Sequence, residues 1–244
     1  MKRLGKSPTH RPVVWVTGAS RGIGREVAKQ FASIGCEVCL SSRSERELQS
    51  AKTEITDLGG RAHVFRCDVS KSQSIFNTVR LIHKNLGEVD TLVNNAGITV
   101  FKRFHKTSLK EFSDIITTNL VGHIACIKAV LPAMIKRKSG WIFNILSNAA
   151  VKTFEGSSAY TATKAGMLGL GKVLREEMRK SNVKVINVVP GAVETEMWSV
   201  ADRKKFSHRM MSTKSVAEVV LSVYQMPDEV VVDEIRIRPM LGDI

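Results

Sequence analysis

The chain has 244 residues, 43% of them hydrophobic and 6% aromatic, and its 37 lysines and arginines outnumber 23 aspartates and glutamates for a net charge of +14. That length and apolar content suit one α/β domain with an aliphatic core, and no run of about 18 apolar residues exists to span a membrane. The basic start Met1-Lys2-Arg3-Leu4-Gly5-Lys6 leads to no apolar signal segment, and four cysteines are too few for a disulfide framework, so a soluble cytoplasmic protein is expected.

Short β-branched runs alternate with helical patterns from end to end. Val13–Thr17 reads as the first strand and residues 22–34 as the helix after it. A strand at Glu37–Ser41, a helix at 44–58 and a strand at 62–66 follow, then a helix at 72–85 and the strand Thr91–Asn94. Residues 108–136 form a long helical region broken or bent near Gly122. The strand 141–145 precedes a helix carrying Tyr160 and Lys164, and 184–189 and 229–237 are the last strands. Such alternation predicts a parallel sheet covered by helices on both faces, and right-handed crossovers make it a doubly wound α/β fold. No repeat or linker divides residues 1–244, so a single domain is expected, with 1–11 as a basic N-terminal extension. The irregular stretch 191–213 belongs at the carboxyl end of the sheet, as a lid over substrate.

Thr17-Gly18-Ala19-Ser20-Arg21-Gly22-Ile23-Gly24 follows the first strand and opens the first helix. Small residues there let the backbone approach a pyrophosphate, whose charge the helix N-terminus stabilises. The end of the second strand decides which dinucleotide binds. A carboxylate would take the ribose hydroxyls of NAD, whereas Ser41-Ser42-Arg43 offers none before Glu45. Arg43 and Arg21 can reach the same point, and two guanidiniums suit the extra phosphate of NADP. NADP(H) is the expected cofactor.

Tyr160 and Lys164, four residues apart, share one helix face. A lysine ammonium beside a phenol favours the phenolate, so the Tyr160 pKa is expected below its reference of about 10. A phenol so tuned can exchange a proton with a carbonyl or an alcohol, and Ser147 upstream supplies a second hydroxyl.

Cys36 and Cys39 form a Cys-x-x-Cys, but Cys39 falls in a strand and no second ligand pair follows, so no metal is expected. Basic residues are spread along the chain apart from Arg203-Lys204-Lys205. No zinc-finger or aromatic-rich RNA-binding pattern accompanies them, so no specific nucleic-acid partner is expected.

With these motifs in this order, the chain resembles the short-chain dehydrogenase/reductase family over nearly its whole length. The resemblance rests on Thr17–Gly24, Asp68 in Cys67-Asp68-Val69, Asn94-Asn95-Ala96-Gly97, Asn119, the series Ser147, Tyr160 and Lys164, then Pro190-Gly191 and Thr195. It implies a Rossmann-type fold in which Gly18, Ser20, Arg21, Gly22, Ile23 and Gly24 cradle the pyrophosphate, with Ser42 and Arg43 beside them. It implies that Asp68 and the Val69 backbone hold the adenine, that Asn94 and Ala96, with Asn95 and Gly97, line the cofactor and support the sheet, and that Pro190, Gly191, Val193 and Thr195 wrap the nicotinamide. Asp68 as a helix cap, Asn94-Asn95 as a turn and Asn119 as a locally bonded helix residue remain open readings of those residues.

The implied activity is hydride transfer from NADPH to a ketone or aldehyde, reversible as alcohol oxidation. Tyr160 is then the general acid, Ser147 a hydrogen-bond donor to the carbonyl oxygen, and Lys164 the group that holds the nicotinamide ribose. Asn119 positions a water that joins Lys164 to bulk solvent. A homo-oligomer, tetramer or dimer, is implied through helices around 109–136 and 158–180. Two features depart from the family's habits: Leu146 stands where many members have a second serine, and the C-terminal segment lacks the glycine-rich ending common in ketoacyl reductases. The substrate walls are expected from 149–157 and 193–211, with Met197, Trp198, Phe206, Met210 and Met211 as apolar surface. A 3-oxoacyl-[acyl-carrier-protein] reductase is the enzyme alternative, and a non-catalytic NADP(H)-sensing or scaffold protein the alternative of another class.

Overall fold

A computed structural model describes residues 11–242; the expected extension at 1–11 falls almost wholly outside the described residues. Strands β1 (Val13–Thr17), β2 (Glu37–Ser41), β3 (Arg61–Val64), β4 (Thr91–Asn94), β5 (Gly140–Ile145), β6 (Val183–Pro190) and β7 (Glu234–Ile237) form one sheet in the order β3-β2-β1-β4-β5-β6-β7. Every pairing is parallel. Helices α1 (Gly22–Ser33), α2 (Glu45–Asp57) and α8 (Thr213–Tyr224) cover one face, and α3 (Ser72–Leu86), α5 (Gly122–Arg137) and α6 (Ser158–Met178) the other. Strand alternation sorts side chains to the two faces: Val14 and Val16 join the core with Phe31 and Tyr224, while Val13 and Trp15 join the one with Ile82 and Met134. The chain reverses its direction of travel across the sheet between β1 and β4, which opens a crevice at their carboxyl ends.

The helical region before β5 divides as its sequence suggests. Helix α4 (Leu109–Ile116) runs into a π-helical turn, Thr117–Val121, and then into α5. Close packing requires the glycine that follows this turn, because a Cβ on Gly122 would lie 2.4 Å from the Val69 carbonyl oxygen. The stretch Leu109–Arg137 reaches a mean hydropathy of 1.5, long and apolar enough by composition to cross a bilayer, although no uninterrupted apolar run flags it. In the fold its buried side chains, among them Ile115, Cys126, Val130 and Met134, face the core.

Most boundaries fall within a residue of the sequence reading, and the larger differences are these. Strand β3 ends at Val64, two residues early. The last strand begins only at Glu234, and upstream of it the Val230 carbonyl accepts from the Lys184 side chain. The stretch read as irregular contains α7 (Val200–Phe206), and α8 follows it. Helix α8 has a legible signal: Val216, Ala217, Val220, Val223 and Tyr224 fall on one face behind the Ser212 cap. Cys36 and Cys39 are both buried in the core.

Candidate active site

The glycine turn is stitched to the segment after β4. The Thr17 hydroxyl donates to the Val93 carbonyl (3.2 Å) and accepts from the backbone N–H of Asn95 (3.0 Å) and Ala96 (3.1 Å). The Asn95 amide donates back to the carbonyls of Thr17 and Gly18 at 3.0 and 3.2 Å. Contact this close admits no side chain at Gly18, where φ is +66° and a Cβ would lie 2.9 Å from Ala96 Cα. Gly24 is needed for the same packing: a Cβ there would lie 2.4 Å from Asn95 Nδ2, so this glycine stays behind the turn and off the cavity wall. Arg21 caps α1 without using its side chain, which leaves the first N–H groups of the helix for a ligand.

A cavity of about 730 Å³ opens above the crevice. At one end stand the glycine turn, Ser42, Arg43 and Asp68; at the other stand Ser147, Tyr160, Lys164 and the segment from Pro190 to Trp198. The residues expected at a cofactor all reach this wall except Gly24 and Asn94, with Ser20, Ile23, Val69, Asn95, Ala96, Gly97, Gly191, Val193 and Thr195 among them. Arg21 and Arg43 are exposed at its edge, and neither forms an ion pair with another described residue. Asp68 accepts from both the N–H and the hydroxyl of Ser70 (3.1 and 2.7 Å). Burial opposes its ionisation, but those bonds and the charge of Arg43 hold the carboxyl below its usual range. Asn94 is buried within the sheet, away from the cavity, and acts only as support.

Helix α6 and the end of β5 assemble the chemistry. Ser147 stands two residues after β5, and its Oγ accepts from the Ala149 N–H (3.2 Å), which fixes the hydroxyl and leaves its hydrogen to donate. Ser147 and Tyr160 line the same end of the cavity, and the Ser147 hydroxyl favours the ionised phenol. Lys164 Nζ donates to the Ile145 carbonyl at 2.8 Å and lies 5.5 Å from the centre of the Tyr160 ring. The expected fall of the Tyr160 pKa does not occur. Burial pushes the phenol up to about 12, with the Ser147 hydroxyl pulling the other way. Lys164 fails to counter this because its ammonium turns to a carbonyl and is itself buried, which lowers its pKa to about 8. Tyr160 is therefore protonated at neutral pH, the state a proton donor needs.

Asn119 lies in the π-helical turn behind the wall. Its amide pairs with the Ile98 backbone in both directions (2.9 and 2.8 Å) and donates to Thr163 Oγ1 at 3.4 Å. The expected wall at 149–157 is likewise absent from the cavity. Lys102 N–H donates to the Gly156 carbonyl (2.9 Å), which lays residues 98–102 over that segment and gives the wall to Ile98, Thr99 and Phe101. From 193–211, Met197 and Trp198 line the cavity, whereas Phe206, Met210 and Met211 do not. Phe101 is the residue sequence reasoning missed. Its signal was position alone: an aromatic shortly after β4, at the carboxyl end of a central strand.

The sequence profile of the short chain dehydrogenase family matches residues 12–205. The chain belongs to the short-chain dehydrogenase family. It is 34% identical over 239 residues to sepiapterin reductase of Chlorobaculum tepidum, covering 95% of this chain and 98% of that one. It is 37% identical over 182 residues to a 3-oxoacyl-[acyl-carrier-protein] reductase of Bos taurus, covering 75% and 76%. Among solved structures, a metagenomic short-chain oxidoreductase in complex with NADP superposes with a TM-score of 0.84 at 33% identity, covering 97% of this chain and all of that one.

Beneath the site, this short-chain dehydrogenase carries a buried polar ladder that its motifs do not announce. Asn94, Asn144 and Asn187 stand in register on β4, β5 and β6. Asn94 donates to Asn144 (3.3 Å), Asn144 to Asn187 (3.1 Å), and Asn187 to the Leu168 carbonyl of α6 (3.3 Å). His123 of α5, wholly buried, donates from Nε2 to the Ala96 carbonyl at 2.6 Å. Burial and the charge of Lys164 push its pKa down to about 3, so it is neutral.

Proposed function

We propose that this dehydrogenase reduces ketones or aldehydes with NADPH, and oxidises the matching alcohols in reverse. The observation that carries the reading is the grouping of Ser147, Tyr160 and Lys164, the last 5.5 Å from the Tyr160 ring centre, at one end of a cavity whose other end holds a helix N-terminus and two arginines. The residues fit a phosphorylated dinucleotide. Gly22, at φ +58°, leaves the floor open where a Cβ would approach Thr195 (3.5 Å), and β2 is followed by Arg43 rather than a carboxylate. Ser42, Arg43 and Arg21 would hold the extra phosphate, Asp68 and Val69 the adenine, and Lys164 and the segment from Pro190 to Thr195 the nicotinamide end. NADPH, when bound, supplies the hydride.

The chain's own residues handle the proton and the charge. As negative charge develops on the carbonyl oxygen, Ser147 donates a hydrogen bond to it and Tyr160 Oη delivers its proton. The phenolate left behind is stabilised by the Lys164 ammonium until solvent returns a proton. Asn119 holds the Ile98 segment and α6 in register, and in this reading a water relay from Lys164 passes beside it.

Reduction of a 3-oxoacyl thioester is a second reading, favoured by the bovine relative and by the exposed Lys204 and Lys205 on α7. The assembly is proposed as a homo-oligomer, tetramer or dimer, through the exposed Val121 and Ile135 of the α4–α5 region and Val173 of α6. Four free, buried thiols accord with a reducing, cytoplasmic setting. The test is loss of nicotinamide absorbance from NADPH and NADH over a panel of ketones, aldehydes and acetoacetyl thioesters. Turnover of simple carbonyls with NADPH supports the main reading, and a marked preference for the thioester the second. Silence across the panel defeats both.

A further inference from the structure

The mouth of the cavity carries more aromatic surface than proton transfer requires. Phe101 lies edge-on to Tyr160, with ring centres 6.3 Å apart and planes at 61°. It also stacks with Trp198, with ring centres 6.4 Å apart and planes at 27°. Phe101 comes from the connection between β4 and α4, Trp198 from the connection between β6 and α7, and each is anchored at its base. The indole N–H donates to the Val193 carbonyl at 3.0 Å, and the Trp198 backbone N–H to the Thr195 carbonyl at 3.2 Å. The Lys102 N–H, as noted, donates to Gly156, and its ammonium pairs with Glu111 at 2.5 Å. The three rings thus form a chain of contacts along the cavity that begins at the proton donor.

The wall is unfinished. Phe101 remains 54% exposed although its ring belongs to the cavity, so a ring face stands open. Aromatic pairs are favourable at centre separations of about 4.5–7 Å. The observed spacings fall in the outer part of that range, where neither partner covers the other. A saturated chain would gain only apolar burial on such a surface, whereas a flat ring would gain stacking or edge contacts in addition.

We infer that the Phe101–Trp198 wall selects carbonyl compounds whose reacting group is attached to a planar, conjugated ring. This rests on the reductase reading above and names its substrate class. With the substrate oxygen at Tyr160 Oη and Ser147 Oγ, the ring plane lies along Phe101 and Trp198. Those two residues set specificity, and the proton path stays with Tyr160.

The test uses acetophenone and cyclohexyl methyl ketone, which share a carbon framework and differ in ring saturation. With NADPH saturating, kcat/KM for each is measured in the wild type, Phe101→Leu and Trp198→Leu, and the aryl-to-cyclohexyl ratio is compared, which cancels the ketones' intrinsic reactivities. The ratio is expected to fall about threefold to tenfold in each variant, the worth of an aromatic contact beyond its area. A ratio at the wild-type value in either variant, including an equal loss for both ketones, overturns the two-ring wall. If the wild type reduces neither ketone, the reductase reading fails for simple carbonyls and binding alone decides the wall. Trp15 and Trp141 are buried, so quenching of tryptophan emission by acetophenone in the presence of NADP+ reports on Trp198. A saturable quench lost in Trp198→Leu supports the wall, and no saturable quench overturns it.

Discussion

The floor of the cavity and its rim differ in how their side chains are held. On the floor, Lys164, Asn119, His123 and the ladder of Asn94, Asn144 and Asn187 are buried and bonded to backbone or to one another. At the rim, Arg21, Arg43 and Phe101 are exposed, and Phe101 and Trp198 meet only ring to ring. The floor faces the oxygen on which charge must develop, and dipoles fixed before the reaction need no reorganisation during it. The rim meets the variable part of a ligand, where loops anchored at their bases tolerate change. The two regions should therefore fail differently. Floor substitutions should lower turnover or stability, and rim substitutions should alter binding while leaving stability within about 0.5 kcal/mol.

The largest effect is expected at Tyr160. Tyr160→Phe removes the proton donor and keeps the ring against Phe101, so turnover should fall about 10²- to 10⁴-fold, the usual worth of a positioned acid. NADPH affinity, read by titration, should stay near the wild-type value. Turnover above a few per cent of wild type would show that another group delivers the proton, and the floor would lose its chemical role. The same site gives a pH signature. Lys164 loses its charge above a pKa of about 8, so the reduction rate should decline as pH rises through that value, well before Tyr160 ionises.

Arg43→Ala tests the rim. A hydrogen bond to a charged group is worth about 1.5–3 kcal/mol, so the NADPH dissociation constant should rise at least about tenfold. NADH affinity and the melting temperature should hardly move. Equal losses for both cofactors would remove Arg43 from phosphate recognition and blur the line between rim and floor.

What could be read in the sequence follows the same line. The alternation of elements, the glycine turn and the four-residue spacing of Tyr160 and Lys164 are local patterns, and the structure places them as expected. Contacts between distant segments were not legible. Nothing local tells that Phe101 and Trp198 meet, that residues 98–102 displace 149–157 from the wall, or that three asparagines align across β4, β5 and β6. The Tyr160 error has a different origin: adjacency on a helix face was legible, but burial, which outweighs it, belongs to the whole fold. Helix α8 was legible and overlooked; its apolar periodicity and serine cap are local signals.

Gly171→Ala tests whether the ladder is as rigid as its bonds suggest. A Cβ there would lie 2.3 Å from Asn187 Oδ1, at the point where the ladder meets α6. Overpacking of this kind costs about 1–3 kcal/mol. In a chain of this size each kcal/mol lowers the melting temperature by about 2–4 °C. A melting temperature equal to wild type would mean that Asn187 swings aside freely and that the floor is softer than the rim comparison assumes.

The smallest effect at neutral pH concerns His123, and it separates burial from bonding on the floor. The folded protein holds this imidazole neutral, with a pKa of about 3 against an ordinary value of 6.5, because it is buried and faces the Lys164 charge. Between those two values the unfolded chain binds a proton that the folded chain refuses. Stability should accordingly fall as pH drops from 6.5 towards 3, by up to about 1.4 kcal/mol per pH unit from this residue alone. His123→Leu removes that term. It also leaves the Ala96 carbonyl without its donor, at a cost of about 1 kcal/mol that does not depend on pH. Urea denaturation from pH 7.5 down to 4.5 should show the variant less stable at the upper end and with a shallower slope in acid, so that the two curves cross below about pH 6 and the variant is the more stable at pH 4.5. Parallel curves would show that His123 takes up its proton inside the folded protein, and the floor beside Ala96 would then be wetter than its burial implies.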